Sequence, residues 1–286
     1  PGTSTVNAYG TVYASKTGDL YDYSRGTNTV TSIVNQGIAS GTISAGLASN
    51  ADPNERTNLI NWARGIDNKD GENQSYAYNS GTSAWAAGTA SASDIRASVH
   101  GDVLHSRPAV INYNRNGDDN DVYVFYGAND GMFHAIKGGR DTDGGNEQWA
   151  FIAQEHFGKL KRLRNQSPLI SSGNPRDYFF DGPIGAYTKD SNANSKLGDV
   201  AGDKVYLYVG MRRGGRYYYA FDVSDPSAPK FLWRKGCPNA TGTTGCDAGW
   251  AEVGQTWSEP KLGYVNAYGN SRLVMMFAAG YDAPVE

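Results

Sequence analysis

No apolar run in this 286-residue sequence approaches the ~20 residues that a membrane-spanning helix needs, so no such segment is predicted. Charge is scarce: 19% of residues are Asp, Glu, Lys or Arg, and the net charge is −3. With no basic excess, nucleic acid is a poor partner. The densest basic run, Lys159, Lys161, Arg162 and Arg164, alternates with Leu160 and Leu163 and reads as one solvated helix face. Cysteine is limited to Cys237 and Cys246, separated by eight polar, flexible residues. Gly242 and Gly245 can turn that segment back on itself, which predicts a local disulfide and an oxidising compartment. Metal binding by the pair would need a nearby His or a second Cys pair, and the sequence offers neither. No signal peptide is visible, and the first residue is Pro1 rather than Met, as expected of a processed form or a fragment. His100, His105, His134 and His156 show no metal-ligand spacing. His100 and His105 lie in a segment predicted to be extended, where five residues place them on opposite faces. All four histidines read as structural. His105-Ser106 lacks an acid partner and the strand-turn-helix setting of a nucleophile, so hydrolase chemistry is unsupported.

Glycine (36) and tyrosine (19) are abundant, as suits short strands joined by tight turns. One motif occurs twice. Val122–Ile136, containing Gly127, Gly131 and Ala135, is followed by Trp149. Val205–Asp222, containing Gly210, Gly215 and Ala220, is followed by Trp233. The four matched pairs are offset by 83, 84, 85 and 84 residues. Such agreement predicts one strand-turn-strand unit used repeatedly, as in propeller blades. Pro108, Pro183 and Pro260 follow each other by 75 and 77 residues, each where a strand is predicted to begin and no ladder donor is needed. A third unit continues through Leu273–Asp282. Three units are too few to close a ring. The segment is therefore read as part of a longer ring, unless strands within residues 1–50 help to close it.

Elsewhere, Thr11–Ala14 and Thr29–Val34 are weak strand candidates. Asp52-Pro53-Asn54-Glu55 predicts a capped helix start, with Leu59, Ile60, Trp62 and Ala63 as its apolar side and Gly65 as its stop. Residues 67–98 read as a long irregular loop or insertion. A short helix is predicted over Gln154–Arg164, with Phe157, Leu160 and Leu163 inward.

Two acidic stretches are calcium candidates, because calcium takes six to eight oxygen ligands. In the first, Asn114 is followed by Asn116, Asp118, Asp119 and Asp121. If Asn114, Asn116 and Asp118 took loop positions one, three and five, Val122 and Phe125 would fall at nine and twelve, and no closing carboxylate would be present. The matching Asp199–Lys204 of the next unit is also a polar turn, and a plain interstrand turn explains both. The second stretch is Asp67, Asp70 and Glu72 around Gly71, for which a solvated loop is the alternative. Arg212, Arg213 and Arg216 beside Tyr217 could form a cationic-aromatic binding surface. A tight turn leading into an aromatic strand is the plainer reading.

The runs His100–Pro108 and Tyr126–Ala135 resemble the C-terminal domain of the PilY-type, or PilC-type, type IV pilus tip proteins. Trp149–Ile152, Phe180–Pro183, Gly210–Val223 and Trp257–Pro260 fit as well, in order, and Asn61–Gly65 resembles the segment entering that domain. The resemblance covers roughly residues 58–286; residues 1–57 form a Gly/Ser/Thr-rich segment, of which 1–50 resemble nothing nameable. It implies an all-β modified β-propeller of about seven blades. Three to four would be present here, with short helical insertions. It also implies a non-enzymatic role in pilus assembly, retraction and surface adhesion, outside the cell at the pilus tip or outer membrane after export through the periplasm. The implied partners are minor pilins or the pilus tip, and a host or abiotic surface. Some members bind calcium through an Asp-rich loop beyond the segment matching Ala279–Asp282, so those ligands do not carry over. Two other functions compete. A quinoprotein dehydrogenase would share blade motifs and docking tryptophans, but those enzymes use adjacent cysteines. An extracellular carbohydrate-binding propeller would use the aromatics.

Overall fold

A computed structural model describes residues 11–16, 19–23, 55–65, 76–79, 84–87, 99–117, 119–267 and 269–281. Its strands form antiparallel meanders in sequence order, the arrangement of consecutive blades. The first joins β5 (Ala109–Asn112), β6 (Val122–Gly127), β7 (Met132–Lys137) and β8 (Glu147–Ile152). The second joins β9 (Ile184–Lys189), β10 (Lys204–Gly210), β11 (Arg216–Asp222) and β12 (Lys230–Cys237). A third unit contributes the hairpin β13 (Lys261–Ala267) and β14 (Asn270–Met276). Strands β5, β9 and β13 each begin one residue after Pro108, Pro183 and Pro260, as the proline spacing predicts. β1 (Thr11–Lys16) pairs parallel to β8, and β2 (Asp19–Tyr23) pairs outside β1, so the first sheet has six strands. Among the described residues, the three units form an open array.

The repeat holds at the level of single residue pairs. Ala135 pairs with Trp149 across β7–β8, and Ala220 pairs with Trp233 across β11–β12. In both ladders the register shifts immediately afterwards, at Ala135/Ile136 and at Ala220/Phe221. The bulge sharpens the local twist of each sheet at the same place.

Alternation along the strands sends one set of side chains between the two sheets. Phe125, Phe133, Trp149 and Phe151 of the first meet Leu207, Val209, Tyr219 and Phe221 of the second in one buried cluster. The Phe133 and Phe221 rings stack at 5.5 Å, and Phe151 meets Phe221 edge-on at 4.8 Å. Burying each such ring contributes about 1.5–3 kcal/mol. The polar tips also cross: Trp149 Nε1 donates to Pro226 O at 2.7 Å, and Tyr113 Oη donates to Val223 O at 2.5 Å. On the far side of the first sheet, Met132, Ala150 and Ile152 pack with Leu59 and Trp62 of α1 (Glu55–Ala63) and Phe157 and Leu160 of α2 (Phe157–Asn165). On the far side of the second, Tyr218 packs on Trp250 and Phe277. Strands β7 and β11 are therefore covered on both faces.

Glycine is required where one unit's lead-in crosses the previous sheet. A Cβ on Gly127 would lie 1.9 Å from Phe180 O, and one on Gly210 would lie 2.8 Å from Thr256 O. The two glycines are the repeat pair that end β6 and β10, so the motif glycine marks a backbone crossing.

The helices fall where the sequence places them. α1 stops before Gly65, whose φ is +98°; its predicted cap, Asp52, lies outside the described residues. α2 is preceded by a 3-10 turn over Gln154–His156, and Phe157 and Leu160 face inward with Leu163 half-buried. Its basic residues are not one solvated face, however: Arg164 is buried, and Lys159 Nζ donates to Tyr178 O and Gly214 O at 2.9 and 3.1 Å. Two short strands, β3 (Tyr76–Asn79) and β4 (Ala84–Ala87), pair as a hairpin inside the stretch expected to be irregular. The strand expected over 29–34 lies outside the described residues. Among those residues, no helix is long and apolar enough to cross a membrane.

Candidate functional site

A cleft of about 660 Å³ opens beside the first sheet, between the lead-in around His100, the β6–β7 turn at Asn129-Asp130 and the loop following α2. The lead-in sits tight on the turn. A Cβ on Gly101 would fall 2.3 Å from Asp130 N, so glycine alone permits this approach. Gly101 N donates to Asp130 Oδ2 at 3.0 Å, and Asn129 N donates to Asp102 O at 3.0 Å. On the opposite wall Arg162 gathers its loop, donating to Pro175 O, Asn174 O and Pro168 O at 2.7, 2.9 and 3.2 Å and pairing with Asp177 at 3.1 Å. Arg176 reaches across to Asp102. Leu169 and Ile170 stand exposed at the rim.

At the floor, His134 of β7 is fully buried between two carboxylates. Its Nε2 lies 3.1 Å from Asp130 Oδ2, and its Nδ1 lies 3.1 Å from Glu147 Oε2. Burial alone would lower its pKa, but the Asp130 and Glu147 charges override this and push it up to about 10. Both ring nitrogens accordingly carry protons and donate. Burial pulls Asp130 upward, yet the His134 charge and hydrogen bond hold it well below the usual carboxylate range. Burial raises the Glu147 carboxyl against the pull of His134. His100 stacks on His134 at 4.8 Å; its Nδ1 donates to Gly101 O at 2.6 Å, and its Nε2 meets Tyr126 Oη at 2.8 Å. Desolvation of the His100 ring, then the charge of His134, lowers its pKa.

This cluster was not legible in the sequence. Asp130 and His134 are brought together by the tight turn at Gly131, whose φ is +106°. His100 comes from a separate segment, which linear spacing does not reveal. The other two histidines are structural, as expected. Contrary to the sequence reading, His105 does have an acid partner: its Nδ1 bonds Asp181 Oδ2 at 2.7 Å, while Ser106 Oγ accepts from Gly127 N at 2.8 Å. His156 is buried, donates from Nδ1 to Gly131 O at 3.2 Å, and is held well below its ordinary pKa by burial.

The residues singled out beforehand fare differently. Asp121 is buried, and Arg115 engages it through Nε, Nη2 and its backbone N at 2.8, 2.7 and 2.9 Å, so it closes a turn rather than facing an ion. Its counterpart Asp203 likewise accepts from Ser191 N, Ser191 Oγ and Gly198 N. The Asp121 bonds are those of an interstrand turn. Asn116 and Asp119 are exposed on that turn. Asp118, Asp67, Asp70 and Glu72 lie outside the described residues. The expected cationic surface needs correction: Arg216 is 2% exposed and Tyr217 3%, because β11 is covered on both faces. The Arg216 guanidinium donates to Gly242 O, Val253 O and Ala251 O at 2.6, 2.7 and 2.9 Å and braces the loop after β12. Arg213 is exposed near Tyr178 and Trp257, and half-buried Arg212 stacks on Trp257 at 4.3 Å. Cys237 and Cys246 form the predicted disulfide.

The family match agrees with this architecture. The family model of the PilY1 beta-propeller domain matches residues 104–285. The type IV pilus biogenesis factor PilY1 of Pseudomonas aeruginosa is 31% identical over 162 residues, covering 49% of this chain and 12% of the relative. The PilY1 homolog of Xylella fastidiosa is 32% identical over 139 residues, covering 49% of this chain and 9% of the relative. The chain thus spans about an eighth or less of the length of these relatives. The crystal structure of the P. aeruginosa PilY1 C-terminal domain is 25% identical, with a TM-score of 0.33, over 56% of this chain and 25% of that one. By its repeated blade units and by a family match across most of its length, the chain belongs to the PilY1 β-propeller domain family.

Proposed function

We propose that this chain is a non-enzymatic propeller segment of a type IV pilus biogenesis factor, serving pilus assembly, retraction and surface adhesion. The observation carrying the reading is the pair of matched units sharing one aromatic core. Such a core favours a rigid platform over a moving active site. The family match supplies the pilus context. Working partners are minor pilins or the pilus tip, and a host or abiotic surface. The Cys237–Cys246 bridge supports export through the periplasm to the pilus tip or outer membrane, since disulfides persist in oxidising compartments. It also disfavours the quinoprotein alternative, whose paired cysteines would be adjacent.

The test is an in-frame deletion of residues 104–285 in the source cell, followed by counts of surface pili and of attached cells. Loss of both, restored by the intact segment, is expected. Normal piliation and attachment would refute the proposal. Turnover of alcohols with a quinone by the purified chain would replace it with an enzymatic one. Calcium at Asp67, Asp70 and Glu72 remains part of the proposal. The triple alanine variant is expected to abolish the heat of calcium binding, and an identical heat from both proteins would remove it.

A further inference from the structure

We infer that His100, Asp130 and His134 form a binding site for a divalent transition-metal ion of the zinc class, opening onto the cleft beside the first sheet. One potential ligand atom from each of the three residues lies within 4.8 Å of the other two. Zinc bonds of about 2.0–2.2 Å to nitrogen and carboxylate oxygen set ligand atoms roughly 3.4 Å apart in a tetrahedron. The His134 Nε2 to Asp130 Oδ distances, 3.1 and 3.3 Å, already match that edge. The remaining closure falls to His100, an exposed residue at the start of the lead-in.

The groups around the three ligands have the anatomy of a metal site. A ligating imidazole ordinarily donates its other ring N–H to a carboxylate or a backbone carbonyl, which fixes tautomer and orientation. Here Glu147 Oε2 takes His134 Nδ1, and Gly101 O takes His100 Nδ1. Each Nε2 already holds a partner, Asp130 for His134 and Tyr126 Oη for His100, so ligation displaces the His134 Nε2 proton and the Tyr126 bond. Gly101 N holds the Asp130 carboxylate from outside. The other Glu147 oxygen, Oε1, is buried with no hydrogen-bond partner among the described residues. Such a buried carboxylate is costly beside an ion pair alone, and it is better compensated when His134 carries a metal's charge. His100 and Asp130 line the cleft, which supplies the entry path. Two imidazoles and one carboxylate leave a fourth tetrahedral position on the cleft side, as in zinc sites that keep an open ligand position. This donor set suits zinc, nickel or copper rather than calcium. The ion would tie the lead-in to β7, two segments otherwise joined by a few hydrogen bonds.

The site is independent of the pilus reading and is tested on the purified 286-residue chain. Cobalt(II) is added after chelator treatment, and the visible ligand-field absorption is recorded; zinc is then titrated calorimetrically. The inference requires one equivalent of either ion, and a cobalt spectrum of four- or five-coordinate type with nitrogen ligands. H100A should weaken zinc by at least the ~10–100-fold that losing a mere outer partner costs, while its chelator-treated melting temperature stays that of the parent. E147Q should weaken zinc by ~10–100-fold through His134. Absence of a cobalt spectrum in the parent, or equal zinc affinity in H100A and the parent, would overturn the inference and leave His134 as a buried ion pair only.

Discussion

Replacing Gly127 by alanine should be among the most damaging one-carbon changes in the molecule. The new Cβ would stand 1.9 Å from Phe180 O and 2.6 Å from Phe180 Cβ. Relief requires more than an ångström of movement, and neither side yields cheaply. Gly127 is paired with Phe133 in the β6–β7 ladder, and its N–H donates to Ser106 Oγ at 2.8 Å. Phe180 is fully buried against Phe133 and Phe151, and the neighbouring Asp181 is held by His105. The cost should reach about 3 kcal/mol or more, at or above the top of the usual overpacking range. Gly210→Ala meets Thr256 O at 2.8 Å and the Tyr218 ring at 3.2 Å, and should cost about 1–2 kcal/mol. Gly263→Ala in β13 meets nothing closer than 3.7 Å and should be neutral or stabilise by about 0.5–1 kcal/mol, because alanine loses less backbone entropy than glycine. Urea unfolding of the purified chain at 25 °C, followed by tryptophan fluorescence, reads all three. If Gly127→Ala falls within ~0.5 kcal/mol of Gly263→Ala, an ordinary surface-sized difference, the backbone crossing is not where the structure puts it.

Arg216→Lys should destabilise the chain by about 2–4 kcal/mol, since an ammonium cannot reproduce the buried guanidinium's fork of bonds to three carbonyls, whereas Arg213→Lys should change stability by less than about 0.5 kcal/mol. Equal effects in thermal melts would contradict the burial of Arg216. Asp121 is held below the ordinary carboxylate pKa chiefly by its hydrogen bonds to the Arg115 side chain. Its contribution to stability is therefore complete above its unfolded value of about 3.9 and is lost as pH falls through the lower folded value. Asp121→Asn should be less stable than the parent at pH 7, and the gap should narrow below pH ~4. A gap that stays constant down to pH ~2.5 would remove the Arg115–Asp121 pair as its cause.

The repeat was legible because its markers are physical necessities. Pro108, Pro183 and Pro260 stand where no ladder N–H is needed. Trp149 and Trp233 occupy one register position beside a bulge, and Gly127 and Gly210 lie under a crossing chain. Each is fixed by local geometry, so it survives in the linear order. Exposure was not legible in Arg216-Tyr217. Alternation reports a solvent face when one side of a strand is wet, but β11 is covered on both. A cation and an aromatic there look the same in sequence whether they meet water or a bracing set of carbonyls. Asp121 was ambiguous in sequence for a related reason. Oxygen-rich turns serve calcium and strand connection alike, and the deciding partner, Arg115, sits within the same turn. The His100–Asp130–His134 cluster depends on how the lead-in lies over the β6–β7 turn, a tertiary fact that no local pattern carries.

The central claim, that the two matched units pack face to face as successive blades, is tested most directly by a double-mutant cycle between Phe133 and Phe221, each changed to leucine. Their rings stack at 5.5 Å across the two sheets. The structure predicts a coupling free energy of about 0.5–1.5 kcal/mol in urea unfolding. Additivity within ~0.3 kcal/mol would mean that the two sheets do not meet there.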